Sequence, residues 1–229
     1  MLVLGLVFGL KHATEVDHIV AVSTIVSEQR SVFRAAFVGG LWGMGHTISL
    51  VIVGLVVIVF RIAIPARIAG WFEFGVAVMI VGLGALALTR ALRRGRHIHL
   101  HRHSHGGQSH VHVHFHDSGL EHSKSRSHSH VVTRVGVKPV LVGAMHGLAG
   151  SAALTLLVLA QISSAKIGLL YLGMFGVGST IGMLAMSVLV GLPFTLTGHR
   201  FAKLHRALQT TAGALGIVFG VWYGYRCLT

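Results

Sequence analysis

Charge is what this sequence has least of. Of 229 residues only 11% are Asp, Glu, Lys or Arg, and just six are acidic, less than half the charged share of a soluble domain. Cysteine is nearly absent. Cys227 stands alone, which excludes a disulfide framework, a thiolate metal site and a CxxC redox pair, and with them the carriers that pass dithiols across membranes. No GxxxxGK[ST] phosphate loop occurs, so nucleotide hydrolysis by that route is excluded, and no HExxH occurs to suggest a zinc protease. The short alternating strands of an outer-membrane barrel are missing too. No enzymatic activity is expected.

What fills the sequence is apolar. Hydrophobic residues make up 53%, with a mean hydropathy of +0.74. A helix needs roughly 20 apolar residues to cross a hydrocarbon core of about 30 Å. Six segments qualify, near 1–27, 33–60, 72–92, 138–160, 166–192 and 207–225. They predict an all-α integral membrane protein, and the 30 glycines favour closely packed helices. The first segment has no basic region ahead of it and carries polar residues inside, so it reads as a retained span, not a cleaved signal peptide.

Lysine and arginine set the expected orientation. The loops holding Arg30 and Arg34, the stretch from Arg90 to Lys138, and Arg200, Lys203 and Arg206 fall on one side; only Arg61, Arg67, Lys166 and Arg226 fall on the other. Fourteen against four puts the first side in the cytoplasm and both termini outside it, in the cell (inner) membrane. The formal net charge of +13 is then mainly a topology signal, and no nucleic-acid partner is expected.

The two halves repeat. GLWGMGHTISL, from Gly40 to Leu50, matches GMFGVGSTIGM, from Gly173 to Met183, with three glycines, a threonine and an isoleucine in register. His12 follows Gly9 by three residues as His146 follows Gly143, and Gly75/Gly82 and Gly213/Gly220 share one spacing. Three spans per copy is an odd number, so the copies enter the membrane from opposite sides. Inverted repeats of this kind build secondary transporters around a site near the midplane. The expected organisation is a first three-helix repeat at 1–92, a loop at 93–137 and a second three-helix repeat at 138–229.

Within the first span, KHATEVDHI (Lys11 to Ile19) gathers ionisable groups where they cost at least about 2.5–3.5 kcal/mol each. His12, Glu15, Asp17, His18 and His46 are the candidate ligands. Imidazole with carboxylate suits nickel, cobalt, zinc or iron rather than calcium or magnesium. On one straight helix, however, His12, Asp17 and His18 point about 140° and 240° apart. Either the helix unwinds there, or some of the three act as supports; His12, Glu15 and His18 form a competing set along one face. A purely structural alternative pairs these groups with one another for packing. His146, Ser179, Thr180 and Thr47 are further supporting candidates.

The motif resembles that of the nickel/cobalt transporter family, whose pattern of His, four residues, then Asp-His is met by His12, Asp17 and His18, with Glu15 where the family has its first aspartate. GHT at Gly45 to Thr47 is similar to the family's GHS motif on the next span. With six spans instead of eight, and GAMHGLAGS (Gly143 to Ser151) in place of the usual second-half motif, the chain looks closest to the short, urease-accessory type of nickel permease. That resemblance implies a permease carrying nickel or cobalt into the cytoplasm, with His12, Asp17, His18 and His46 in metal recognition.

Twelve of the eighteen histidines lie between Arg93 and Val137. Too polar to fold alone, this stretch is expected to be disordered and to bind divalent cations through alternate histidines: His97, His99, His101, His103, His105, His110, His112, His114 and His116. It suits capture, buffering or hand-over to a cytoplasmic metal acceptor. The expected function is a secondary permease for divalent nickel or cobalt, with zinc fitting the same ligands, in the lipid bilayer and without a resident cofactor. Efflux of nickel, cobalt or zinc is the alternative, and a haem-bearing electron carrier is a remote one.

Overall fold

The computed structural model describes residues 2–29, 31–60, 62, 65–93, 98–105, 108–115, 131–149, 164–197 and 201–229. In chain order these form helices α1 (Leu2–His12), α2 (Val16–Val26), α3 (Val32–Phe60) and α4 (Ala66–Arg93), strands β1 (Ile98–His105) and β2 (Gln108–Phe115), then helices α5 (Val131–Gly147), α6 (Ala165–Thr197) and α7 (Ala202–Leu228).

Helices α3, α4 and α6 are long and apolar enough to cross a membrane. Helix α7 has 27 residues and is less apolar, whereas α1 and α2 are apolar but only 11 residues each. Large apolar side chains such as Phe33, Val218 and Leu196 point outward, while His12, His18, His46 and His146 are buried. That distribution is the one lipid demands, because hydrocarbon solvates apolar surface and offers polar groups no partner. These apolar helices are those of a membrane protein.

The segment expected as one first span is broken at the motif. Helix α1 ends at His12 in two tight turns, Thr14 N–H to the Lys11 carbonyl (2.9 Å) and Glu15 N–H to the His12 carbonyl (3.0 Å). The Thr14 hydroxyl also donates to the Lys11 carbonyl at 2.6 Å, and Glu15 is extended at φ −65°, ψ 150° before α2 begins. So the unwound alternative holds. Helix α5 ends in the same manner after its own histidine, with Leu148 N–H on the Met145 carbonyl (3.3 Å) and Ala149 N–H on the His146 carbonyl (3.1 Å).

Within the histidine-rich stretch, where disorder was the expectation, β1 and β2 pair antiparallel. The sequence accords with this, because alternate histidines repeat every two residues, the period of a strand. The register opposes His99 to His114, His101 to His112 and His103 to His110. His97 and His116 lie outside the described residues, as do 106–107 and 116–130.

Helix α6 packs against α1 and α3, α3 also against α5, and α4 against α7. Glycine makes two of these crossings possible. A Cβ at Gly9 would strike the Phe175 carbonyl of α6, and one at Gly143 would strike the Trp42 carbonyl of α3. Backbones can meet this closely only through small residues. Helix α2 is anchored at its far end: Arg90 of α4 donates to both oxygens of Glu28 at 2.7 and 2.6 Å, and Gln209 of α7 donates to the Ser27 carbonyl at 2.7 Å. Helix α2 is thereby held against α4 and α7 and also packs on α6.

Candidate metal site

His12 closes α1, Asp17 and His18 open α2, His46 lies midway along α3, and His146 comes from the end of α5. All five are buried; His18 and His146 are wholly inaccessible. The break is what lets them meet, since residues that diverge around a straight helix are re-aimed when the chain turns between His12 and Asp17.

Asp17 is the hub. Its Oδ1 accepts from the backbone N–H of His18 (2.9 Å) and lies 3.0 Å from His18 Nδ1, while its Oδ2 lies 2.9 Å from His146 Nε2. A carboxylate can only accept, so both ring nitrogens carry protons, and the lone pairs are left on His18 Nε2 and His146 Nδ1. Among the described residues neither of those atoms has a hydrogen-bond partner. His12 follows the same logic: its Nδ1 sits 3.2 Å from the half-exposed Glu15 carboxylate, and its Nε2 faces His46 Nε2 at 3.1 Å. Carboxylates fixing imidazole tautomers in this way are the usual support of metal-binding histidines.

The separations suit a first-row cation. With metal–nitrogen bonds of about 2.0–2.1 Å, neighbouring ligand atoms lie about 2.9–3.4 Å apart, and the His12–His46 nitrogens fall in that interval. Donor atoms of His12, His18 and His46 lie within 4.8 Å of one another, as do those of Asp17, His18 and His146. Helix ends add to this. Both His12 and His146 close a helix, so the partial negative charge of two C-termini is directed at the cluster, and Asp17 offsets the positive start of α2.

Other candidates divide. Thr47 donates to the Gly176 carbonyl at 3.0 Å and meets Thr180 hydroxyl to hydroxyl at 3.0 Å, tying α3 to α6; among the described residues no hydrogen bond joins either to the histidines. Ser179 is buried and its hydroxyl has no partner among the described residues. Sequence reasoning overlooked Trp42, whose ring stands 5.4 Å from His18 and 5.6 Å from His146 and whose Nε1–H is unpartnered. Its spacing was the available signal, because a residue four before His46 shares that helix face.

Comparison with known proteins gives one clear relative. The chain is 35% identical over 230 residues to the urease accessory protein UreH of Bacillus sp. (strain TB-90), covering 98% of this chain and 90% of the relative. No protein-family model matches, and no solved structure does. At that identity, sustained over almost the whole of both sequences, the chain belongs to the family of the urease accessory protein UreH.

Proposed function

We infer that this protein is a secondary permease that carries divalent nickel or cobalt inward across the cytoplasmic membrane, using a site made by His12, Asp17, His18 and His46. One observation carries the reading: four buried imidazoles meet at the break between α1 and α2, and Asp17 sets those of His18 and His146 so that each keeps a nitrogen without a partner among the described residues. Unpartnered nitrogens at such depth are costly for packing alone and suited to a cation that replaces its water shell with them. The relative's description as an accessory protein accords with a non-enzymatic role, and the resemblance to the urease-accessory type of nickel permease supplies the metal.

Several features support six spans in two inverted repeats. Helices α1 and α2 have 11 residues each, about 16 Å apiece, so as one discontinuous span they would set the break near the midplane of a ~30 Å core. Exchanging the halves turns the α1–α6 contact into α5–α3 and leaves α3–α6 and α4–α7 in place, which is the pattern of packing observed. The same exchange relates Phe175 beside His12 (5.4 Å) to Trp42 beside His146 (5.6 Å). Thr47 and Thr180, equivalent in the repeat, meet each other as residues on a two-fold axis do. The positively charged loops and the histidine ribbon then face the cytoplasm, where opposed histidines take up arriving ions for transfer to an acceptor.

The membrane potential suffices as driving force. A dication gains about 4.6 kcal/mol per 100 mV, roughly a thousandfold accumulation. Vesicles containing the purified protein should therefore accumulate nickel or cobalt under an inside-negative potential and stop when the potential is collapsed. Uptake that continues unchanged after collapse would remove this mechanism.

A further inference from the structure

Packing alone does not account for His146. It is wholly buried, it comes from the second half of the chain, and it holds Asp17 through Nε2 while its Nδ1 has no partner among the described residues. His18 stands between it and the other histidines, with ring centres 4.1 Å from His146, 4.4 Å from His12 and 5.3 Å from His46. The two clusters of donor atoms, His12/His18/His46 and Asp17/His18/His146, have His18 in common.

Resting on the reading of this cluster as a transport site, we propose that Asp17, His18 and His146 form a second ion position beside that of His12, His18 and His46, with a divalent cation passing between them over the shared His18. A neutral imidazole has one lone pair. With its proton on Nδ1, toward Asp17, His18 offers Nε2 to the first position; with the proton on Nε2 it offers Nδ1 to the second. As the second position fills, His18 Nδ1 and His146 Nε2 each give up a proton to water that travels with the ion, and His18 Nε2 and His146 Nδ1 each take one up from it, so the number of bound protons is unchanged. The receiving nitrogens are the two that lack a partner. Each position also has a helix C-terminus of its own, α1 at His12 and α5 at His146. Because His18 serves one position at a time, the two exclude each other, and a single ion alternates between a ligand set drawn from the first half and one that includes the second.

The test loads purified full-length protein with nickel, counts the bound metal and reads its ligands by X-ray absorption, alongside vesicle uptake. The parent should hold one nickel per chain beyond the share of the histidine-rich stretch, which is measured on a peptide spanning 97–116 and subtracted from both the count and the spectrum. His46→Ala should confine it to the second position, with two imidazoles and a carboxylate oxygen; His146→Ala should confine it to the first, with three imidazoles and no carboxylate. Both variants should keep their nickel and lose uptake by at least about tenfold. A cooperative thermal transition in detergent shows that a variant is folded, and His146→Asn, closer in size, serves if His146→Ala does not fold. The second position is overturned if a His146 variant transports at the parental rate, if it folds and binds no nickel beyond the share of the histidine-rich stretch, or if that extra nickel has the same ligands as in His46→Ala. A parent that binds no nickel beyond the share of the histidine-rich stretch overturns the transport reading itself, and this proposal with it.

Discussion

Alanine at Gly143 adds one methyl group where α5 crosses α3. The methyl would fall on the Trp42 carbonyl oxygen, with the Trp42 carbonyl carbon and ring Cδ1 both only 2.9 Å away. Atoms of this kind rest at about 3.5 Å, and a helix carbonyl has little freedom to yield, so α5 must retreat by on the order of 1 Å. Overpacking of that size destabilises by about 1–3 kcal/mol. Function should suffer more than stability, because His146 lies three residues along the displaced helix and a shift of about 1 Å at a working group costs on the order of a hundredfold. Gly75→Ala is the matched control. Nothing lies within 4 Å of a Cβ there, and the better helix propensity of alanine is worth up to about 1 kcal/mol. Thermal unfolding in detergent and initial nickel uptake in vesicles measure both effects. A Gly143→Ala protein with parental melting and parental uptake would refute the claim that this crossing positions His146.

Other perturbations reach different parts of the account. Asp17→Asn keeps the shape but turns an amide N–H toward one of the two imidazoles that Asp17 now accepts from; nickel affinity by titration calorimetry should fall about 10–100-fold with the fold retained, and an unchanged affinity would remove Asp17 from the site. Glu28→Gln breaks the ion pair with Arg90, whose side chain is 43% exposed. Solvent screening limits the loss to less than about 1 kcal/mol, so a collapse of the melting temperature would contradict this placement. A peptide spanning 97–116 should bind nickel at pH 8 and release it as pH falls through about 6.5, since protonated imidazole has no lone pair to offer; binding that persists at pH 5 would count against histidine ligation.

How much of this was legible in the sequence depends on the kind of information required. The membrane class was legible because hydropathy is a sum over residues, and the helices α3, α4 and α6 coincide with three of the apolar segments. His12, Asp17, His18 and His46 stood out in the sequence because ionisable groups within apolar runs need a reason, and the structure buries all four close together. Their relation to one another was not legible. Periodicity on an unbroken helix spreads His12, Asp17 and His18 apart, and only the turn at Ala13 to Glu15 brings them to one place. His146 was visible merely as a repeat of His12; its contact with Asp17 joins residues 129 positions apart, and such pairing follows from helix packing, which one sequence does not state. In the histidine-rich stretch the two-residue period was on view, yet low complexity pointed to disorder, and strand pairing was passed over.

The central claim is that a metal cation crosses through the buried histidines, and initial uptake of nickel and cobalt into vesicles, comparing the parent with His12→Ala under the same inside-negative potential, tests it most directly. The account predicts rapid uptake by the parent and at least about a tenfold loss in the variant, with nickel still bound by the histidine-rich stretch. Equal uptake by both proteins, or none by the parent, would contradict it.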